Sequence, residues 1–198
     1  SRATSAEFDK LLGPNGWLAR NTVKGKSDVV VYFSGHGIPD PKTKKVGLLP
    51  FDVDPNYSVG LPVDQMYATL GNLGARSVTI VLDACFSGQT RQKEMLIANA
   101  RPVIITPKAE AVPSGITILS AASGAQISGA MKDKEHGLFT YYVLKGLGGA
   151  ADGNKDGKLS MNELASFVAR EVKTQSSRLG WEQTPQLQGD GGRVLVRW

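Results

Sequence analysis

The chain has 198 residues, of which 41% are hydrophobic and 21% are charged. That composition fits one globular domain and excludes a disordered or fibrous protein. No stretch approaches the roughly 18 consecutive apolar residues that span a bilayer, so we expect no membrane partner. The net charge of +5 comes from scattered basic residues without interleaved aromatics, which argues against nucleic-acid binding. A single Cys excludes an internal disulfide and leaves the redox compartment open.

The first half of the chain contains four segments with clear patterns of regular structure. Thr4 and Glu7 have the spacing of a capping box, which predicts the start of a helix. Two runs rich in Val and Ile are typical of the buried strands of a parallel sheet. A Pro in the first turn and a Gly beyond the end mark a second helix. The predicted order is helix 4–12, strand 29–34, helix 62–73 and strand 77–82.

The second half continues the alternation of helices and strands. Its last predicted helix is amphipathic, with Leu164, Val168 and Val172 facing inward. Strands separated by helices predict one α/β domain over residues 1–198, with a mostly parallel sheet of four strands between helices. The predicted elements of this half are helix 89–98, strand 115–120, helix 138–147, helix 160–173 and strand 193–197.

Two glycine-flanked motifs follow the two strands of the first half. Residues 34–37 (SGHG) contain His36, and residues 83–88 (DACFSG) contain Cys85. In open α/β sheets the loops beyond the carboxyl ends of the strands form the ligand crevice, so we expect this His and this Cys to be neighbours. An imidazole beside a thiol promotes the thiolate that attacks a carbonyl. The motifs therefore predict a nucleophile, Cys85, with a general base, His36.

Each of these two residues has a simpler explanation on its own. A lone Cys after an apolar strand is often a small buried hydrophobe, and a lone His is often structural. Together, however, they match the order of a caspase dyad, in which the His precedes the Cys by about 50 residues. The small residues beside them leave room for a substrate, and the amides of Gly37 and Cys85 are candidate oxyanion donors.

The chain resembles the caspase-like cysteine peptidase family, and specifically its metacaspase, paracaspase and orthocaspase branch. The resemblance rests on residues 32–37 (YFSGHG), 82–88 (LDACFSG) and 136–140 (HGLFT), and it covers nearly the whole chain. It implies a three-layer sandwich, with a mostly parallel sheet flanked by helices. It also implies that His36 is the general base and Cys85 the nucleophile, with a thioester acyl-enzyme and no cofactor for the chemistry.

The same resemblance implies a substrate pocket. In this branch the Asp two residues before the Cys and the Ser two residues before the His line the S1 pocket, which corresponds here to Asp83 and Ser34. A carboxylate in a pocket selects a basic side chain through a charge-assisted pair. We therefore expect protein or peptide substrates that are cleaved after Arg or Lys. The alternative role for Asp83 is a cap of the turn at the end of its strand.

The family sheet has two strands before the histidine strand, and those strands are missing from this chain. We expect a separate N-terminal segment of the same protein to supply them, because the histidine strand would otherwise have an unpaired edge. A truncated, reorganised domain is the alternative. Family members often mature by cutting between the cysteine strand and the next one. In that region Arg91 and Lys93 are the candidate self-cleavage positions, and a solvated basic loop is the alternative.

Residues 152–163 (DGNKDGKLSMNE) fit the pattern of an EF-hand calcium loop, with Gly157 at its sharp turn. A turn capped by its own Asp and Asn side chains is the alternative. The family's own calcium site, after the histidine strand, is degraded in this sequence, where Lys42, Lys44 and Lys45 stand. The candidate structural Ca²⁺ ligands of the loop are Asp152, Asn154, Asp156, Lys158 through its carbonyl, Ser160 and Glu163.

The function that the sequence predicts is a cysteine endopeptidase that cleaves after basic residues. The alternative is a catalytically inactive module of the caspase fold with an interaction or regulatory role. The presence of both dyad residues and of Asp83 favours the peptidase.

Overall fold

The computed structural model describes residues 3–40, 43, 45–86, 112–122, 129 and 137–198, with the backbone alone at Cys85. The predicted helix 89–98 lies outside these residues. No helix in the described ranges is long and apolar enough to cross a membrane. The helices are Ser5–Leu12 (α1), Trp17–Asn21 (α2), Val63–Gly71 (α3), Leu138–Lys145 (α4) and Met161–Arg178 (α5). The strands are Asp28–Pro39 (β1), Val46–Leu48 (β2), Leu61–Pro62 (β3), Ser77–Cys85 (β4), Ile116–Ser120 (β5), Lys158–Ser160 (β6), Gln186–Gln188 (β7) and Val194–Arg197 (β8).

Six of these strands form one mixed sheet in the order β3-β2-β1-β4-β5-β7. Strands β1, β4 and β5 run parallel at its centre. At its sides, β2 pairs antiparallel with both β1 and β3, and β7 pairs antiparallel with β5. The predicted strand 193–197 does not join this sheet. It forms β8, which pairs with β6 in a separate two-stranded sheet, because Leu159 of β6 and Val196 of β8 pair and pack into the core beneath α4 and α5.

Two apolar cores lie on opposite faces of the six-stranded sheet. Along β4, Ile80 and Leu82 belong to the core that includes residues of α1 and α3, whereas Val81 belongs to the core that includes residues of α4 and α5. This alternation follows from the two-residue period of a strand. The layers α1–α3, sheet and α4–α5 form the three-layer sandwich that the sequence predicts.

The register of β1 against β4 is anchored where the two strands begin. Asp28 lies opposite Ser77, and its carboxylate accepts hydrogen bonds from the Ser77 hydroxyl and the Arg76 guanidinium. The Arg76 N–H donates to the Ser27 carbonyl at 2.8 Å. The Arg76 hydrogen bond, followed by that of Ser77, holds the pKa of Asp28 well below its ordinary value. Asp28 is therefore ionised at neutral pH, as this anchor requires.

The two helices of the second half begin where the sequence predicts. A reciprocal capping box starts α5: the Ser160 hydroxyl accepts from the Glu163 N–H at 3.2 Å, and the Glu163 carboxylate accepts from the Ser160 N–H at 2.9 Å. The helix extends past the predicted end at 173 to Arg178, because no Gly or Pro interrupts it before Gly180. Helix α4 ends at Lys145 and continues as one π-helical turn.

Truncation of the buried face of α4 should destabilise the domain. Phe139 is 0% exposed, whereas Leu144 on the same helix is 51% exposed. Phe139→Ala should lower the free energy of unfolding by roughly 3–5 kcal/mol, because it leaves a cavity in a packed core. The control Leu144→Ala should cost less than about 1 kcal/mol. Urea unfolding of both variants measures the two losses, and equal losses would contradict the burial of this face.

Candidate active site

The pairing of β1 with β4 brings the two sequence motifs side by side. Ser34 lies opposite Asp83, and two positions further along His36 lies opposite Cys85. Because side chains alternate along a strand, these four positions share one face of the sheet, which is the face covered by α4 and α5. Neighbouring strands are about 4.8 Å apart. The predicted base and nucleophile positions are therefore adjacent, and so are the two predicted pocket positions.

The residue directly after β2 holds the backbone of His36 from its other side. The Leu49 N–H donates to the His36 carbonyl at 2.9 Å. Since the backbone groups of successive residues point to opposite sides of a strand, the N–H of the buried Gly37 points toward β4. That is the side on which Cys85 lies, and the oxyanion role of these two amides stays a prediction.

Gly35 is required by the packing of an aromatic ring on the opposite face. A Cβ at position 35 would lie 2.7 Å from the Phe33 Cζ atom, because both residues face the same side of β1. The Phe33 ring makes an edge contact with Phe8 of α1, with the ring centroids 6.0 Å apart. The glycine therefore leaves room for this ring against β1.

Asp83 is fully buried, at 0% exposure. The Thr140 hydroxyl donates to its Oδ2 atom at 2.5 Å, and the Tyr32 hydroxyl lies 2.9 Å from the same Thr140 oxygen. Thr140 is in the first turn of α4, so the carboxylate also lies near the positive end of that helix. A buried carboxylate needs hydrogen-bond donors of this kind, because it has lost its contacts with water.

The part of this face that β1 contributes is open among the described residues. Val30 and Tyr32 are 68% and 53% exposed, and Ser34 is exposed as well. Strand β2 pairs with β1 over Gly37–Pro39 and the next residue, Leu49, bonds to His36, so the described residues leave that side of 28–35 without a pairing strand. The exposed Ser34 thus lies at the register position beside the fully buried Asp83, and the pocket role of the two residues stays a prediction.

The predicted calcium loop, residues 152–163, is closed by its own side chains. Asp152 Oδ2 accepts from the Gly157 N–H at 3.1 Å. Asn154 Oδ1 accepts from the Asp156 N–H at 2.9 Å, and Asp156 Oδ1 accepts from the Lys158 N–H at 2.8 Å. Three of the candidate ligands therefore cap backbone amides of the turn.

Two further observations bear on a metal in this loop. Glu163 bonds to Ser160 in the capping box of α5, whereas Asp152 Oδ1 is buried without a hydrogen-bond partner in the described part of the chain. Within that part, no three His, Cys, Asp or Glu side chains are grouped so that they could hold a metal ion. The unpaired Asp152 oxygen favours a bound cation, whereas the Glu163 carboxylate is already bonded to Ser160. The calcium site therefore stays a prediction.

Several residues that the sequence analysis named lie outside the described residues or away from the candidate site. Arg91 and Lys93, the candidate self-cleavage positions, lie outside the described residues, as do Lys42 and Lys44. Lys45 donates to the Asp64 carboxylate at 2.5 Å and holds the pKa of that carboxyl below its ordinary value. This lysine is therefore one half of an ion pair with the first turn of α3.

Sequence reasoning did not select Tyr32 or Thr140 as site residues. Both lie inside segments on which the family resemblance rests, 32–37 and 136–140, so these motifs could have pointed to them. No sequence pattern links Thr140 with Asp83, however, since the two residues are 57 positions apart.

A comparison with known protein families found a match. A family model described as the caspase domain matches residues 4–193, which covers both motifs and nearly all of the described elements. A search of curated proteins found no match.

A double-mutant cycle tests the contact between Gly35 and Phe33. Gly35→Ala should lower the free energy of unfolding by roughly 1–3 kcal/mol, because the added methyl group overlaps the ring. In a Phe33→Leu background the same change should cost clearly less, since the ring atom at 2.7 Å is then absent. Denaturant unfolding of the four proteins gives the coupling, and an equal cost in both backgrounds would contradict this explanation of the glycine.

Proposed function

We propose that this chain, which belongs to the caspase domain family, is a cysteine endopeptidase that cleaves after Arg or Lys. The family match over residues 4–193 supports a cysteine peptidase in general. The proposal adds a dyad of His36 and Cys85 and a pocket of Ser34 and Asp83. The observation that carries it is the register of β1 and β4, in which each pair lies directly opposite.

The first half of the proposed reaction forms an acyl-enzyme. His36 takes the proton of the Cys85 thiol, and the thiolate sulfur bonds to the carbonyl carbon of the scissile peptide. The Gly37 and Cys85 amides donate hydrogen bonds to the resulting oxyanion. The C–N bond then breaks, the protonated His36 gives its proton to the leaving amine, and a thioester remains on Cys85.

The second half releases the acid product. His36 takes a proton from a water molecule, whose oxygen attacks the thioester carbonyl. The C–S bond breaks as the second tetrahedral intermediate collapses, the carboxylic acid leaves, and the Cys85 sulfur takes back the proton. No electron is gained or lost in these steps, and both proton transfers use the one imidazole.

The burial of Asp83 supports the choice of a basic P1 residue. A carboxylate at 0% exposure attracts a cation more strongly than one at the surface, because water screens the pair less. A guanidinium also fits a carboxylate with two parallel hydrogen bonds. The exposed Ser34 at the opposite register position can contact the same side chain nearer to solvent.

Fluorogenic peptides with Arg, Lys or Asp at P1 test this proposal with the full protein. We expect hydrolysis after Arg and Lys, and none after Asp, because the Asp83 carboxylate repels an acidic side chain. Cys85→Ala should reduce hydrolysis to background, since the acyl-enzyme cannot form without the thiol.

Two outcomes would contradict the proposal in different ways. Cleavage only after Asp would keep the nucleophile and overturn the pocket of Ser34 and Asp83. No cleavage of any peptide by a protein shown to be folded by circular dichroism would instead favour an interaction module without activity.

A further inference from the structure

Three hydroxyl and carboxyl groups form a continuous hydrogen-bonded chain beside the site. It consists of the Tyr32 hydroxyl on β1, the Thr140 hydroxyl on α4 and the Asp83 carboxylate on β4, and we refer to it as the hydroxyl chain. Thr140 is 6% exposed and Asp83 0%, whereas Tyr32 is 53% exposed. The hydroxyl chain therefore runs from the exposed Tyr32 to the buried carboxyl group of Asp83.

The direction of the hydrogen bonds follows from the number of protons. The single hydroxyl proton of Thr140 points to Asp83 Oδ2, at 2.5 Å. In the 2.9 Å contact between Tyr32 and Thr140, the Thr140 oxygen must therefore accept and the Tyr32 hydroxyl must donate. Donation to the Thr140 oxygen polarises its O–H bond and strengthens the bond to the carboxylate.

We infer that Thr140 is a positioning residue that sets the orientation of the Asp83 carboxylate for a basic P1 side chain, with Tyr32 as its support. The inference rests on the proposed function, because it concerns the selectivity of the same pocket. A carboxylate bound to a guanidinium through two hydrogen bonds must present both oxygens in the plane of that group. An Oδ2 atom held by Thr140 cannot rotate freely out of that plane, so less conformational entropy is lost when the substrate binds.

The inference predicts that loss of the Thr140 hydroxyl changes the selectivity for a basic P1 residue and not the stability of the protein. The measured quantity is the ratio of kcat/KM for a peptide with Arg at P1 to kcat/KM for the same peptide with citrulline, which has the shape of Arg without its charge. Thr140→Val keeps the shape of the side chain and removes the hydroxyl. It should lower this ratio about tenfold, through a higher KM for the Arg peptide with kcat nearly unchanged.

Further variants separate positioning from packing. Thr140→Ser keeps the hydroxyl and should restore the ratio to within about twofold of the parent. Tyr32→Phe removes the supporting donor at a half-exposed position and should lower the ratio about threefold. Asp83→Asn removes the pocket charge and gives the Arg-to-citrulline ratio expected without it.

Thr79→Val is the matched control on β4. Thr79 is 2% exposed, and its hydroxyl has no hydrogen-bond partner in the described part of the chain. The same isosteric change therefore removes a buried hydroxyl without removing a hydrogen bond found in that part of the chain. We expect the Arg-to-citrulline ratio of this variant to equal that of the parent.

The outcomes distinguish the inference from the function on which it rests. A parent protein that does not prefer Arg over citrulline would overturn the proposed pocket itself. A parent that prefers Arg, with a ratio unchanged in both Thr140→Val and Tyr32→Phe, would overturn the inference alone. A parallel fall of kcat/KM for both peptides in Thr140→Val would also overturn it, since that result indicates a structural role. If Thr140→Val fails to fold, the ratio in Tyr32→Phe decides.

Discussion

The parallel pairing of β1 with β4 is the constraint on which the site depends. It places His36 opposite Cys85 and Ser34 opposite Asp83, although the members of each pair come from distant parts of the chain. A slip by one residue would set His36 opposite Ala84, whose side chain points to the other face. The anchor at Asp28, which bonds to residues at the start of β4, opposes such a slip. The hydrogen bonds of Asp28 at one end of the strands thus add to the pairing that sets the geometry at the other end.

Both faces of β4 pack into a core, but they differ near the carboxyl end of the strand. Ile80, Leu82 and Ala84 fill the core on the side of α1 and α3, and the residues between them face α4 and α5. On that second face the apolar Val81 is followed by the buried Asp83 near the carboxyl end of the strand. The first turn of α4 meets the strand there and supplies Thr140, so one helix both covers the core and binds the buried acid.

The elements that a sequence predicts here are those that carry a pattern of their own. β1 and β4 have long apolar runs, and Ser160 with Glu163 gives α5 a clear start. β2, β3 and β7 have two or three residues each, too few for any period, and exist only because a neighbouring strand pairs with them. The candidate site likewise has a part that the sequence predicts and a part that it does not. Its motifs predict which residues matter, whereas the hydroxyl chain depends on a contact between β4 and α4 that no local pattern encodes.

The central claim is that His36 acts on Cys85 because the register makes them neighbours. Cys85 is the single cysteine of the chain, so alkylation by iodoacetamide, followed by mass spectrometry, reports on this thiol alone. The measurement is the rate of alkylation against pH for the parent protein and for His36→Ala. A neighbouring imidazole should keep the thiol reactive at lower pH in the parent than in the variant. Two superimposable profiles would contradict the dyad.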